Sequence, residues 1–289
     1  ENDCKVNLTV IPWDKYEETY TTALNSGEGP DVGYMYNEMF PTYIDAGAVE
    51  DMSSYVTDED KKEYKYLSNG NMMDGQYGWP LVTGVPFVLY YNEDILNALG
   101  EKAPETWDDF ARICQEATKD TDGDGKVDQY GFACGMNTSD IGAMQILNAY
   151  YYSALWQNGG QVYNDDLKSV SFADEAGKEA VTWLKGLTSY MNEDFMSLSW
   201  SDAFSNVFGA GKAAFGITRS SQTDGTTFAE TYPELNWNFV TSLKNKEFGT
   251  FGATDCLTLM SACEDKDLAM DFIKYVTGSK FMTEYHAKC

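Results

Sequence analysis

The segment from Gly78 to Leu96 constrains the fold more than any other part of the chain, because two kinds of secondary structure meet within it. It reads GWPLVTGVPFVLYYNEDIL, and its aromatic and β-branched residues are typical of a strand. We predict that the strand ends at a corner formed by Tyr91 and Asn92 and leads into a short helix. Pro104 then interrupts the regular secondary structure. A second helix begins at Thr106, with a cap at Asp109. Strands followed directly by helices indicate an α/β fold.

The first part of the chain repeats this alternation. Apolar and polar residues alternate from Lys5 to Ile11, which predicts a half-buried strand. Asp14 and Glu17 have the spacing of a capping box that starts a helix, and a second strand is predicted from Asp31 to Tyr36. Strand, helix and strand in this order predict a parallel βαβ unit.

Further helices and strands of the same kind follow. The spacing of apolar residues predicts helices at about 141–157, 175–190 and 265–276. Strands are predicted at 213–217, at 236–241 and around 257–259. The pattern contains no internal repeat, so the predicted class is mixed α/β with parallel units.

Composition excludes partners better than it identifies them. The 289 residues suffice for one large domain or two modest ones, and 43% hydrophobic residues can form a core. The formal net charge of −26 argues against nucleic acid, whose phosphates need clustered Lys and Arg, and it disfavours anionic membranes and substrates. No apolar run reaches the length of a membrane span.

One histidine and six scattered cysteines exclude several kinds of active site. His286 alone cannot form a His-rich zinc site, and a residue in its position is not expected in a catalytic triad. The cysteines contain no C-x-x-C pair, which excludes zinc ribbons and thioredoxin chemistry. We expect mostly free, buried thiols, with a single disulfide as the alternative.

Four motifs occur in order along the chain. They are SGEGPDV at 26–32, the segment from Trp79 to Asn92, FGAGKAAF at 208–215 and DLAMDFIKYVT at 267–277. Each is weak alone, but together they resemble the family 1 extracellular solute-binding proteins, the sugar-capturing subunits of ABC importers, which include the maltose-binding proteins. The resemblance implies an α/β, two-lobed fold of the type II periplasmic-binding-protein kind, with a mixed, mainly parallel sheet in each lobe and a hinged cleft. It places lobe one at 1–103 and 248–289, and lobe two at 104–246.

The chain departs from the family at both ends. Members usually open with one more strand–helix unit and continue with several more helices of lobe two. The chain is therefore expected to be a fragment, a trimmed form or a sequence with further residues at its ends, and these alternatives stay open.

A sugar site needs flat aromatic faces for C–H groups and planar polar groups for paired hydroxyls. The chain is 15% aromatic, so most rings must be core, and position has to choose between them. Arg219 stands where the family often has a Gly-x-Trp, and it would replace stacking by bidentate hydrogen bonds or only pair with a surface carboxylate. The resemblance and the loop positions together give these candidate ligand-binding residues, for each of which a core or surface role is the alternative: Trp13, Tyr36, Asn37, Glu38, Trp79, Trp156, Trp200, Arg219, Ser220 and Asp255.

An acidic loop matches the first nine positions of a calcium-binding loop. The expected ligands are the carboxylates of Asp120, Asp122, Asp124 and Asp128 and the carbonyl of Lys126. Position twelve is Gly131, where an EF-hand has Glu, so the loop is not a full EF-hand. We expect a structural calcium ion, with a solvated acidic turn as the alternative.

The expected function is binding of a small carbohydrate, an oligosaccharide, in the cleft and its delivery to the permease subunits of an ABC importer, without catalysis. The resemblance also implies a monomer outside the cytoplasm, lipid-anchored or periplasmic, whose signal segment is absent from this chain. The alternatives are a carbohydrate-active enzyme with a carboxylate pair, a peptide- or polyamine-binding protein, and a calcium-dependent scaffold.

Overall fold

The protein divides into two compact units. The computed structural model describes residues 4–12, 15–27, 29–73, 75–138, 142–164, 169–222 and 227–288. Unit 1 consists of the residues up to Gly84 and those from Ala253 onward, and unit 2 extends from Val85 to Gly252.

The described residues form short strands and helices in alternation. The strands are β1 (Val32–Tyr36), β2 (Asn71–Met72), β3 (Gly75–Gln76), β4 (Trp79–Gly84), β5 (Phe87–Asn92), β6 (Tyr130–Ala133), β7 (Ala213–Arg219), β8 (Trp237–Val240) and β9 (Ala253–Leu259). The α-helices are α1 (Tyr16–Ser26), α2 (Phe40–Asp45), α3 (Asp60–Glu63), α4 (Glu93–Leu99), α5 (Trp107–Ala117), α6 (Gly142–Ile146), α7 (Tyr152–Gln157), α8 (Glu175–Gly186), α9 (Trp200–Ala203), α10 (Thr227–Thr231), α11 (Lys266–Thr277) and α12 (Ser279–His286). Stretches of π-helix lie at Leu147–Tyr151 and Phe204–Gly209, and 3-10 helices lie at Asn37–Met39, Ser53–Tyr55, Leu67–Gly70, Leu187–Tyr190 and Ser220–Gln222.

Unit 1 is built on a three-stranded sheet in the order β1-β9-β4, with β9 antiparallel to both neighbours. Alternate side chains of β9 point to opposite faces, as the pleat requires. Cys256 packs on one face with the tyrosines of α1, and Leu259 packs on the other with Trp79 and α11. The sheet therefore separates two hydrophobic clusters. A small β2–β3 hairpin accompanies it.

Unit 2 is built on a four-stranded sheet in the order β6-β7-β5-β8. Only the β6–β7 pair is parallel among these strands, and β5 is antiparallel to both β7 and β8. Phe87 and Leu89 of β5 pack against the helices α5 and α8, whereas Val88 and Tyr90 pack against the π-helical stretch Phe204–Gly209. Both faces of this sheet are thus covered, which explains the nearly continuous apolar sequence of β5.

The prediction of mainly parallel sheets is wrong for the described strands. Five of the six strand pairings are antiparallel. The reason is that β9 and β7 come from distant parts of the chain and insert between or beside earlier strands, so local strand–helix order does not determine direction.

The prediction of a strand from Lys5 to Ile11 is also wrong. These residues lie outside any strand, and Val6 and Leu8 are 57% and 83% exposed. Period-two alternation gives a strand only where a sheet edge accepts it, and no described strand pairs with this segment. Asp14, of the predicted capping box, lies outside the described residues.

The helix prediction at Thr106 is confirmed. The Thr106 Oγ1 accepts a hydrogen bond from the Asp109 amide at 3.1 Å, and the Asp109 carboxylate accepts one from the Thr106 amide at 3.1 Å. This capping box satisfies donors that the first turn of α5 would otherwise leave unpaired.

The border between the units differs from the expected lobe boundaries at 103/104 and 246/248. The residues 85–103 and 247–252 belong to unit 2. The physical reason is that β5 lies inside the four-stranded sheet and α4 packs on α5 and β7.

Four of the described cysteines, Cys114, Cys134, Cys256 and Cys263, are buried free thiols, as predicted, and Cys4 is an exposed one. Burial raises the pKa of the Cys134 thiol to about 12, so that this group stays protonated. None of the helices in the described residues is both long and apolar enough to cross a membrane.

Candidate functional site

Five aromatic residues of unit 2 lie in a continuous set, which we call the aromatic run. Its members are Tyr152, Trp156, Phe251, Phe87 and Trp200. Four of them are half-buried, whereas Phe87 is buried and contacts the rings of Phe251 and Trp200.

Three rings of the aromatic run form a nearly parallel triangle. Trp156 lies 5.7 Å from Tyr152 and 6.2 Å from Phe251, centroid to centroid, and Tyr152 lies 6.2 Å from Phe251. The interplanar angles are 23°, 9° and 25°. In a stacked column of three rings, the centroids of the two outer rings would be about twice as far apart as those of adjacent rings. The three centroid distances here are nearly equal, so no ring is sandwiched between the other two.

Local structure explains how these rings come together. Tyr152 and Trp156 are four residues apart on α7, which places them on one face of the helix. The Phe87 amide donates to the Phe251 carbonyl at 2.9 Å, and the Phe251 amide donates to Ser153 Oγ at 3.2 Å. The backbone therefore ties the start of β5 and the segment before β9 to α7.

The far end of the aromatic run carries a cation. Arg219, the last residue of β7, pairs in register with Phe87. Its guanidinium lies 5.5 Å from the ring centroid of Phe87 and 6.0 Å from that of Trp200. Its Nη2 donates to Oε1 of the buried Gln145 at 2.9 Å. These contacts hold the guanidinium against two aromatic rings.

Trp156, Trp200, Arg219 and Ser220 are therefore brought into one region of unit 2. The Ser220 amide donates to the Pro86 carbonyl at 2.9 Å, next to Phe87. Trp200 begins α9, where Ser199 Oγ accepts from the Asp202 amide at 3.0 Å.

Four other predicted residues meet in unit 1, at the end of β1. Tyr36 is opposite Asp255 in the sheet register, and Asn37 and Glu38 follow directly in a 3-10 helix. Asp255 accepts a hydrogen bond from Tyr34 Oη at 2.6 Å. Burial and the hydrogen bond to Glu17 raise the pKa of Tyr36, so its phenol stays a neutral donor.

Asn37 has a buried Oδ1 for which the described residues supply no hydrogen bond. Glu38 is exposed. This second group is polar, and its members lie in the other compact unit from the aromatic run.

One described residue of the predicted set, Trp79, joins neither group. Trp79 is fully buried in unit 1, with Lys274 Nζ 5.1 Å from its ring centroid and Tyr64 in edge contact at 5.3 Å. Without an exposed face it cannot stack on a ligand, so the prediction for this residue is wrong. Trp13 lies outside the described residues.

The residue pattern does not identify Tyr152, Phe87, Phe251 and Gln145. The i, i+4 spacing of Tyr152 and Trp156 is a signal that could have found Tyr152. Phe251 and Gln145 are recognised only by their neighbours in space.

The acidic loop brings three of its predicted ligands together. Oxygen atoms of Asp120, Asp122 and Asp124 lie within 4.8 Å of one another. Hydrogen bonds from the Gly125 and Gly123 amides lower the pKa of Asp120. An antiparallel bridge between Lys119 and Gln129 closes the base of the loop.

Asp128 is not a member of that group of three. Its Oδ1 accepts from the Thr121 amide at 2.8 Å, and its Oδ2 accepts from Thr121 Oγ1 at 2.6 Å. These bonds lower the pKa of Asp128 and occupy both oxygens. Carboxylate oxygens are the ligands that calcium prefers, so the fit rests on the other three residues and the predicted Lys126 carbonyl.

The aromatic run has the chemistry of binding rather than of catalysis. Flat apolar faces take up C–H groups, and a guanidinium and an amide bond oxygen atoms. An arginine stays protonated and does not act as a general base.

Comparisons with known proteins agree with this description. A Brucella abortus protein described as a binding protein is 25% identical over 298 residues, which cover 98% of this chain and 66% of the relative. The chain thus spans about two thirds of that relative's length.

Solved structures share the fold. An ABC transporter solute-binding protein from Thermotoga lettingae, bound to α-D-tagatose, gives a TM-score of 0.72 at 18% identity, over 95% of this chain and 69% of that chain. An ABC substrate-binding protein from Listeria monocytogenes, in complex with cycloalternan, gives 0.72 at 21% identity, over 95% and 68%. At such identities the likeness establishes the α/β fold of solute-binding proteins. Residues 1–288 match the family described as bacterial extracellular solute-binding protein, and the chain belongs to that family.

Proposed function

We propose that this protein binds a small carbohydrate, an oligosaccharide, and delivers it to the permease subunits of an ABC importer. The observation that carries the proposal is the nearly parallel triangle of Tyr152, Trp156 and Phe251. Aromatic faces attract the apolar C–H face of a sugar ring, and their polar surroundings bond its hydroxyls.

The extent of the aromatic run favours an oligosaccharide over a monosaccharide. Beyond the triangle, Phe251 lies 6.2 Å from Phe87, and Phe87 lies 5.6 Å from Trp200. One pyranose ring covers about one arene, so half-buried rings at both ends of the run suit more than one sugar unit.

Arg219 weighs against a polyamine ligand. A polyamine would need free aromatic faces or a carboxylate as its partners. At Phe87 and Trp200 the guanidinium of Arg219 already lies over the rings. A second cation in that place would be repelled.

Membership of an extracellular family and structural neighbours from ABC transporters support the transport role and a location outside the cytoplasm. The proposal includes a monomeric chain, held at the membrane by a lipid anchor or free in the periplasm, and a binding protein without enzymatic activity.

Calcium binding by the acidic loop forms part of the proposal. Asp120, Asp122 and Asp124 would hold the ion, and its charge would relieve their mutual repulsion. Bound there, calcium would stabilise the loop rather than take part in ligand binding.

A thermal-shift screen against mono- and oligosaccharides, followed by calorimetry on each hit, tests the function. A ligand of the folded state raises the melting temperature by mass action. We expect a rise with one glycan class, and recovery of the intact glycan after incubation. Hydrolysis of the glycan would favour an enzyme instead, and a cooperatively melting protein that responds to no sugar would contradict the proposal.

A further inference from the structure

The two arginines of the chain have opposite electrostatic surroundings. Arg112 forms a fork with Glu101, with Nη1–Oε1 and Nη2–Oε2 distances of 2.6 and 2.9 Å, and also reaches Glu116 at 3.2 Å. The contacts of Arg219 are the neutral amide of Gln145 and the rings of Phe87 and Trp200. No carboxylate of the described residues pairs with Arg219.

This lack of a counter-charge is unusual for the composition. The chain has 46 acidic residues for 20 basic ones, so carboxylates are abundant. Arg219 is also half-buried, and a partly desolvated cation is costly unless it is paired. Among the described residues, Arg219 thus has aromatic and amide contacts but no counter-charge, and an anionic ligand could supply one.

The guanidinium is already oriented for such a partner. One of its five N–H donors is used by Gln145, and the aromatic contacts restrict its plane. A planar fork with free parallel donors matches a carboxylate, and the resulting charge-assisted bonds are stronger than bonds to hydroxyls.

We infer that the carbohydrate ligand is acidic and contains a uronic acid, whose carboxylate is bonded by Arg219 while its ring lies along the aromatic run. This inference rests on the proposed function and specifies its substrate class. The single positive charge of Arg219 balances one carboxylate, whereas a phosphate monoester carries about −1.5 to −2 at pH 7.

The net charge of −26 does not oppose such a ligand at contact distance. Exposed charges beyond about 8–10 Å are largely screened at physiological ionic strength. Asp202, on the helix that begins with Trp200, carries a carboxylate that accepts a hydrogen bond from Ser199 Oγ at 2.7 Å. This residue is exposed, so its charge is among those that solvent and salt screen.

Calorimetry with matched sugars tests the inference. The probes are oligogalacturonates and oligoglucuronates of two and three units, each compared with the neutral galactose or glucose oligomer of the same linkage. The natural chain is expected to bind at least one uronate about tenfold to a hundredfold more tightly than its neutral counterpart. Raising the salt concentration should weaken uronate binding more than neutral-sugar binding.

Two arginine variants make the test specific. Arg219→Gln should lose about tenfold to a hundredfold in uronate affinity and clearly less in affinity for the neutral oligomer, whose hydroxyls form weaker bonds to the guanidinium than a carboxylate does. Arg219→Lys should be intermediate, because it keeps the charge but not the fork. Arg112→Gln, the matched control, should leave both affinities unchanged.

These outcomes distinguish failure of the inference from failure of the proposed function on which it rests. Equal affinities for a uronate and its neutral counterpart, or an equal loss of both in a folded Arg219→Gln variant, would overturn the inference and leave carbohydrate binding intact. Failure of every acidic and neutral sugar to bind would overturn both.

Discussion

The indole of Trp156 and the ring of Phe251 lie 6.2 Å apart, centroid to centroid, with their planes inclined by only 9°. One ring belongs to α7, and the other precedes β9 near the border of unit 2. The Phe251 amide donates a hydrogen bond to Ser153 Oγ at 3.2 Å, which ties the Phe251 backbone to α7. The positions of these two rings are thus determined by backbone hydrogen bonding as well as by contacts between the rings.

Replacing Trp156 by Ala should weaken carbohydrate binding by about tenfold, because loss of one aromatic contact costs about 1 kcal/mol or more. Calorimetry with the best sugar from the screen measures the change. Phe248→Ala is the matched control, since Phe248 is 67% exposed and lies outside the aromatic run. An unchanged affinity in the folded Trp156→Ala variant would contradict the assignment.

Replacing Trp79 by Ala should destabilise the protein by about 3–5 kcal/mol, because it removes a fully buried indole from the core of unit 1. Trp79→Phe should cost less, since it keeps part of the packing. Denaturant unfolding followed by circular dichroism measures both. A stable Trp79→Ala protein that no longer binds sugar would restore this residue to the binding site.

Removing the α5 cap with Thr106→Ala should cost about 1 kcal/mol of unfolding free energy. Thr182→Ala is the control, because this exposed hydroxyl donates to the Lys178 carbonyl inside α8 and caps nothing. That variant should change stability little, since Ala is the better helix former. Equal effects of the two substitutions would mean that the capping box contributes nothing.

The pair formed by Asp60 and Lys274 should make stability depend on acid pH. Burial alone would raise the pKa of Asp60, but hydrogen bonds from Lys274, at 2.7 Å, and from Thr57 outweigh it and lower the pKa. A lowered folded-state pKa stabilises the protein above the unfolded value of about 3.9, and the contribution is lost as the pH falls through the folded value.

Asp60→Asn is therefore expected to cost about 1–3 kcal/mol at pH 7 and progressively less below about pH 4. Urea unfolding across this pH range measures the difference from the natural chain. Asp58→Asn should change little at any pH, because Asp58 pairs with Lys61 on the exposed surface. A constant cost of Asp60→Asn down to pH 2 would contradict the linkage.

Calcium should raise the melting temperature reversibly, by an amount equivalent to about 2.7 kcal/mol at a hundredfold excess over the dissociation constant. Chelation should reverse the rise, and Asp122→Asn should abolish most of it. Asp128→Asn should have a smaller effect, because both oxygens of Asp128 bond Thr121. Asp108→Asn, an exposed carboxylate of α5, is the control. Equal melting temperatures with calcium and with chelator would exclude the site.

Signals contained within a few residues predicted their elements well. The helix start at Thr106 and the strand at 213–217 are both present, as α5 and β7. Strand direction was not predictable in this way, because β9 pairs with β1 and β4 across most of the chain. The exposed alternation at Val6 and Leu8 shows the same limit, since a strand needs a partner that its own sequence does not contain.

The candidate site was predictable in its types of residue but not in its geometry. Trp156, Trp200 and Arg219 do converge, whereas Trp79, a residue of the same type, is buried in the core of unit 1. An indole can stack on a ligand or pack in a core, and only its neighbours in space distinguish the two roles. Gln145 illustrates the converse, because a buried amide becomes informative only once its cationic partner is known.

The order β1-β9-β4 has a consequence for biosynthesis. The two outer strands are not hydrogen-bonded to each other, and the strand that joins them is made only after all of unit 2. On the ribosome, the continuous unit 2 can acquire its tertiary structure while β1 and β4 still present unpaired edges. During that interval these unpaired edges are open to pairing with strands of other chains.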